Sequence, residues 1–174
     1  IENLKDIRDA QLAHKTVTGV FQNNWDSLVN FIENEKFTIT QRRDSTIIDE
    51  VLTRRYGVDT TKDIVIIDTL GYVAVKDSLF GADPRYKTMM NVPVGKQGEQ
   101  FKLQTGVVNQ NNINIPVFEA SVQKDIVLFG QDENLINKEK EVVSVEGVNG
   151  PTLKVGSLEE VNTNGNWPKN YSKD

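Results

Sequence analysis

Cysteine is absent from the chain, and histidine occurs once, at position 14. The first absence excludes disulfides, thiolate nucleophiles and cysteine metal sites, while leaving the compartment open. The second confines any imidazole-dependent triad to His14, and a zinc site would need several nitrogen or sulfur ligands that the chain does not have. No stretch approaches the roughly 20 apolar residues of a membrane-spanning helix. An excess of basic charge is also missing: the net charge is −5 and the pI about 5.0. That balance argues against nucleic acid, which attracts basic stripes, and against a direct contact with an anionic membrane surface. The glycines make no phosphate cradle, because Gly95-Lys96-Gln97-Gly98 has neither the GxxxxGK[ST] spacing nor a strand-to-helix junction.

What is present begins with two helices. On a wheel of 100° per residue, Leu4, Ile7, Ala10, Gln11, His14 and Val17 share a broad arc with Ile1 and Leu12. Glu2, Lys5, Asp6, Asp9 and Thr16 face the other way. Gly19 suits the left-handed position that ends a helix. Asn24 then reads as an N-cap, with Trp25, Leu28, Val29 and Ile32 as the apolar stripe of a second, shorter helix. No Ser, Thr, Asp or Asn caps the first helix. A frayed terminus explains that, and so does a helix that continues upstream. The second explanation expects Ile1 and Leu4 to be more exposed than Ala10 or Val17.

The segment Ala13-His14-Lys15-Thr16-Val17-Thr18-Gly19-Val20-Phe21, followed by a short helix carrying Leu28, resembles the post-membrane segment of type IV pilins and pseudopilins. The resemblance covers about the first fifth of the chain, and Gln22 stands where that family frequently has proline. It implies a long N-terminal helix covered by a β-sheet, an upstream membrane anchor, an extracytoplasmic location at the inner membrane, and self-assembly or protein contacts through the helix. Pseudopilins sometimes bind calcium in a C-terminal loop, but no residue here matches such a motif. The run from Leu153 to Glu160 and on to Trp167 also looks like the ending of uncharacterised bacterial single-span membrane proteins, which carries no activity with it.

Further along, Phe37, Ile39 and Gln41 alternate with Lys36, Thr38 and Thr40 as a short strand ended by Arg42-Arg43. Ile47, Ile48, Val51 and Leu52 fall at helical spacing, with Asp44-Ser45 as the cap, Arg54-Arg55 in the last turn and Gly57 just after. Their β-branched character keeps a strand open as the alternative. Ile64-Val65-Ile66-Ile67 and Tyr72-Val73-Ala74-Val75, separated by Thr69-Leu70-Gly71, read as a hairpin. Because the apolar residues are continuous, at least one of these strands should be covered on both faces, the first helix covering one of them.

Asp77 to Gln97 reads as irregular. Phe101, Leu103 and Thr105 alternate, as do Ile113, Ile115 and Val117, so these segments form a hairpin with Asn109-Gln110-Asn111-Asn112 at its tip. Pro116 implies an edge or a bulge, and the change of apolar parity at Phe118, Ala120 and Val122 implies a register change there. Ile126-Val127-Leu128-Phe129 is an apolar run ending at Gly130. A helix is expected between Glu133 and Val143 with Leu135, Ile136 and Val142 inward, then a turn at Asn149-Gly150-Pro151 and a strand over Leu153-Lys154-Val155. Ser157 can cap one turn through Glu160. The polar segment from Asn162 should be ordered only where Trp167 and Tyr171 dock.

With no repeat, linker or composition shift, the chain reads as one domain over 1–174, with a helical unit at 1–35, a sheet with short helices at 36–161 and a polar tail at 162–174. The class expected is α+β, a long N-terminal helix on a mainly antiparallel sheet with additional short helices. No catalytic, cofactor-binding or metal residue is assigned. Asp49-Glu50, Glu159-Glu160 and Asp59 with Asp63 could each hold a hard cation, yet none has the spacing of a calcium loop, and solvated faces explain them. The two Arg pairs read as element ends, Trp25 as packing and Trp167 as a docking residue. The functional expectation is a non-enzymatic, membrane-anchored, extracytoplasmic protein working through protein–protein contacts. The alternatives are a soluble periplasmic module that binds a ligand or partner and, further back, a carboxylate-based enzyme.

Overall fold

A computed structural model describes residues 1–142 and 147–168. Among them, eleven α-helices and β-strands follow in order: α1 (Glu2–Thr18), α2 (Trp25–Asn34), β1 (Lys36–Ile48), α3 (Glu50–Tyr56), β2 (Thr61–Ala74), α4 (Val75–Leu79), β3 (Lys102–Gln110), β4 (Ile113–Gln123), α5 (Lys124–Val127), α6 (Glu133–Glu139) and β5 (Thr152–Gly156). The fold is α+β, with a long N-terminal helix, mainly antiparallel sheets and short helices. The chain divides into two compact units, one formed by Ile1–Glu35 with everything from Val75 onward, the other by Lys36–Ala74.

The first unit contains the hydrophobic core. Leu4, Ile7 and Ala10 of α1, Leu28 and Ile32 of α2, Phe118 and Ala120 of β4 and Val155 of β5 are all fully buried. β3, β4 and β5 form one antiparallel sheet in that order. The β3–β4 hairpin turns through Asn111 and Asn112 at φ 53° and 62°, the left-handed pair that two-residue hairpin turns require and that Asn tolerates. Pro116 pairs with Val107 without any register shift, so the expected bulge is absent. β5 begins its pairing only at Glu119, which leaves one side of Pro116 open and makes its missing N–H harmless. Gly156 is required where it stands: at φ +77°, an added Cβ would lie 2.2 Å from the Phe118 carbonyl oxygen.

The α1–α2 turn is closed by two buried polar side chains. Gln11 donates to the Gln22 carbonyl at 2.6 Å and accepts from the Gln22 N–H at 2.9 Å, standing in for a missing stretch of backbone pairing. His14 Nδ1 lies 2.7 Å from the Val20 carbonyl, which can only accept, so that nitrogen carries the proton. The ring also packs against Phe31 at 4.7 Å. The expected order of exposure along α1 is reversed: Leu4 is fully buried, whereas Val17 is 38% exposed. The buried face of α1 runs from Leu4 to His14, and its N-terminal end is held by Asp6 paired to Arg85 at 2.9 Å and by Asn3 donating to the Asn91 carbonyl.

Two further expectations are corrected, and one apolar run gains an assignment. Within the irregular stretch, α4 and a 3-10 turn at Pro84–Lys87 capped by Asp83 are regular. The apolar run at Ile126 opens as the short helix α5. α6 stops at Glu139, and Leu135 and Val142 point outward at 59% and 80% exposure, because Asp132 caps a helix too short to carry its apolar stripe inward. Trp167 is buried, with Gly165 leaving space for its indole. Tyr171 and Val143 lie outside the described residues.

The second unit is an arm. β1 and β2 run antiparallel from Lys36 opposite Ala74 to Ile48 opposite Thr61. Thirteen residues of strand extend about 40 Å at the usual rise per residue. Arg42 and Arg43 do not end β1: Arg43 pairs with Asp68 at 2.9 Å, and both arginines lie opposite isoleucines of β2. The hairpin expected between Ile64–Ile67 and Tyr72–Val75 does not exist, since residues 64–67 and 72–74 belong to the single strand β2. Thr69-Leu70-Gly71, read as a turn, is instead a bulge, with Ile39 opposite Gly71, Thr40 opposite Thr69 and Leu70 left over. Turn and bulge favour the same residue types, which is why the sequence does not separate them.

A candidate interaction arm

The arm is built from local signals. Asp49 ends β1 and caps α3, its carboxylate accepting from the Val51 and Leu52 amides at 3.1 Å each. Those amide bonds, chiefly the one from Leu52, and the nearby Lys62 hold the Asp49 carboxyl below its ordinary pKa. Gly57 closes α3 at φ 70°. Thr53 and Thr60 then clasp each other, the Thr60 amide donating to the Thr53 hydroxyl at 2.9 Å and that hydroxyl donating back to the Thr60 carbonyl. The expected helix is therefore present but starts later, with Ile47 and Ile48 in the strand and Asp49, not Asp44-Ser45, as its cap.

None of residues 36–74 is buried. Large apolar side chains nevertheless stand along the whole arm. Ile67, Leu70 and Tyr72 on β2 and Val51, Tyr56 and Val58 at the tip are each more than 60% exposed. The polarity of the two strands differs: β1 carries Thr40, Gln41, Arg42, Arg43, Asp44, Ser45 and Thr46 in succession, whereas β2 carries Ile64-Val65-Ile66-Ile67. A strand that is apolar on both faces belongs in a covered sheet, yet this one has a single neighbour and an open edge. The expectation that it is covered on both faces is overturned by the 66% exposure of Ile67 and 46% of Val65. The arm is what the sequence reading missed as a site. The available signal was the polar run from Thr40 to Thr46, which no core could accommodate beside the apolar one.

The other candidate residues have structural places. His14 and Gln11 hold a turn. Asp49 caps a helix, and its neighbour Glu50 is exposed. Glu159 and Glu160 donate their backbone amides to the Ser157 hydroxyl at 3.2 Å. Asp63 accepts from the Thr46 hydroxyl across the strands at 2.9 Å. Among the described residues no three His, Asp or Glu side chains come together in a way that could hold a metal ion. Lys124 is buried, but its ammonium donates to the Glu139 and Val148 carbonyls and stays within 4.0 Å of the Glu139 carboxylate. Two carbonyls thus accept from it, and the carboxylate supplies the opposing charge. Beside it lies an open groove of about 740 Å³, lined by Leu128, Leu135, Ile136, Lys138 and Glu139 among others. Glu33 is held below its ordinary pKa by hydrogen bonds from Lys87 and then Tyr86, and Lys87 is raised in turn. Both are exposed ion-pair partners at 2.8 Å that close the surface over Tyr86.

No family model matches the chain, and neither a curated protein nor a solved structure does.

Proposed function

We propose that this chain is a non-enzymatic assembly protein that works through protein–protein contacts, with the β1–α3–β2 arm as the contact surface. One observation carries the reading: a ribbon of about 40 Å with no buried residue presents the aliphatic run Ile64-Val65-Ile66-Ile67 along an open edge. Two-stranded ribbons are marginal alone in water, and open apolar edges pair with other chains. A chain that carries such an edge gains free energy when a partner covers it. The resemblance of Ala13–Phe21 to pseudopilins supports the finer form of the proposal, a membrane-anchored, extracytoplasmic protein whose anchor precedes α1. The groove beside α6 favours the second reading, a periplasmic module that binds a ligand or partner there.

The test places a photo-crosslinking amino acid at Ile67 of the native gene product in its own cells, with a second probe at Leu135. Protein adducts at Ile67, weakened when the neighbouring Ile64 and Val65 are both replaced by serine, are the expected result. Adducts only at Leu135 would favour the binding module. Turnover of an ester, phosphate, glycoside or peptide substrate by the purified chain, abolished by substituting one carboxylate, would overturn the non-enzymatic reading.

A further inference from the structure

The backbone of the arm fixes which residues a partner strand can meet. One step beyond the Ile48–Thr61 pair, the Asp49 amide donates to the Thr60 carbonyl at 2.7 Å. Antiparallel pairs alternate between mutually bonded and non-bonded. Lys62, Ile64, Ile66 and Asp68 therefore turn their amides toward β1, and Thr61, Asp63, Val65, Ile67 and Thr69 turn theirs to the open edge. A strand added there must set outward residues against outward residues.

We infer that β2 pairs with β2 of a second copy of this chain, antiparallel, on a two-fold axis through Val65, and this rests on the arm being the contact surface proposed above. Any antiparallel pairing centred between two residues sets an outward amide against an inward one and makes no ladder. Centring on Ile66 puts Asp68 opposite Ile64 of the second copy. Centring on Ile64 puts Lys62 opposite Ile66, and centring on Asp63 puts that carboxylate against its own copy. The Val65 axis sets Ile64 opposite Ile66, Thr61 opposite Thr69 and Asp63 opposite Ile67, and it is selected because it alone sets Lys62 opposite Asp68 on both sides. The Lys62–Asp68 and Ile64–Ile66 pairs also fall at the non-bonded positions, where side chains approach most closely. Lys62 and Asp68 are about half exposed, and their present partners, Asp49 at 3.5 Å and Arg43 at 2.9 Å, are surface ion pairs of small worth. The product is a four-stranded sheet in the order β1–β2–β2–β1. Its outer edges are the polar β1 strands with Arg42, Arg43 and Asp44, which oppose further addition and close the assembly at two copies.

Because the chain has no cysteine, single substitutions report the register directly. Val65→Cys in the full-length chain should give a disulfide-linked dimer on mild oxidation. Ile67→Cys should not, since the two copies of residue 67 lie about 13 Å apart along the strands, beyond the ~7 Å that a disulfide spans. In sedimentation velocity the unmodified chain should dimerise reversibly. Lys62→Asp and Asp68→Lys should each weaken the dimer about tenfold by opposing like charges twice, and the double swap should restore it. Unchanged melting of each variant shows that the fold is intact. A chain that remains monomeric at its highest soluble concentration overturns the inference. So does a dimer in which the Ile67→Cys variant crosslinks and the Val65→Cys variant does not. If a monomeric chain still forms adducts at Ile67 with a different protein in cells, this inference falls and the proposed function stands. If it forms none, both fall.

Discussion

The two units of this protein are stabilised in different ways. In the first, α1, α2, β4 and β5 contribute residues such as Leu4, Ile32, Phe118 and Val155 to a core from which water is excluded. The arm has no such residue, and its order comes from the β1–β2 ladder, a capped helix and surface pairs such as Arg43–Asp68. Burial of apolar area is the dominant stabilising term in proteins, whereas surface ion pairs add little. The comparison teaches that a long, regular ladder is not evidence of a core. It also explains why the apolar content of the arm is better understood as a surface for association than as a stabilising device.

The sharpest way to break this comparison is to remove one aromatic ring from the first unit. Phe118→Ala should cost about 3–5 kcal/mol in urea unfolding, as for fully buried aromatic residues, while Ile67→Ala in the arm should leave the midpoint unchanged. Equal effects would mean that the arm has a core of its own. Next comes the turn lock: Gln11→Ala leaves the Gln22 amide and carbonyl without their partner and should destabilise by about 1–3 kcal/mol. The same measurement on Gln22→Ala, which keeps those backbone groups and loses only exposed bonds from the Asn23 and Asn24 amides, should show a smaller change.

Hydrogen exchange sharpens the contrast further. Amides of Ile64 and Ile66, paired inward to β1, should exchange by local opening well before those of Phe118 and Ala120 in β4, and dimerisation should slow Val65 and Ile67 most. Uniform protection across both units would show them to unfold as one. Ile66→Asp makes the same point. Were Ile66 in a doubly covered strand, the buried charge would cost several kcal/mol; on a half-exposed strand it should disturb only the arm's own exchange.

The smallest effect is the pH response of α3. Asp49 has its pKa lowered in the folded state, so its contribution is complete above the ordinary aspartate value of about 3.9 and is lost as the pH falls through the lower folded value. The amide shifts of Val51 and Leu52 should move together in that acid range, and Asp49→Ala should abolish the transition without affecting α1. A transition at neutral pH would contradict the assigned cap.

Local chemistry made several elements legible before any packing was considered. The α1 arc, the Gly19 stop, the Asn24 cap, the hairpin tipped by Asn111 and Asn112 and the strand around Leu153-Lys154-Val155 all follow from backbone preferences and short-range periodicity, which nearby residues decide. The α+β class follows from the same signals. What local signals did not decide was where the apolar segments go. Ile64-Val65-Ile66-Ile67 has the composition of a buried strand, and Thr69-Leu70-Gly71 that of a turn; the tertiary structure makes them parts of one exposed strand, the second as a bulge. The length of β1 through Arg42-Arg43, the burial of Leu4 over Val17 and the outward Leu135 were decided in the same way. Burial depends on which distant residues arrive, such as Asn91 and Arg85 beside α1, and register depends on a partner strand some 25 residues away. Neither is encoded in the segment that experiences it.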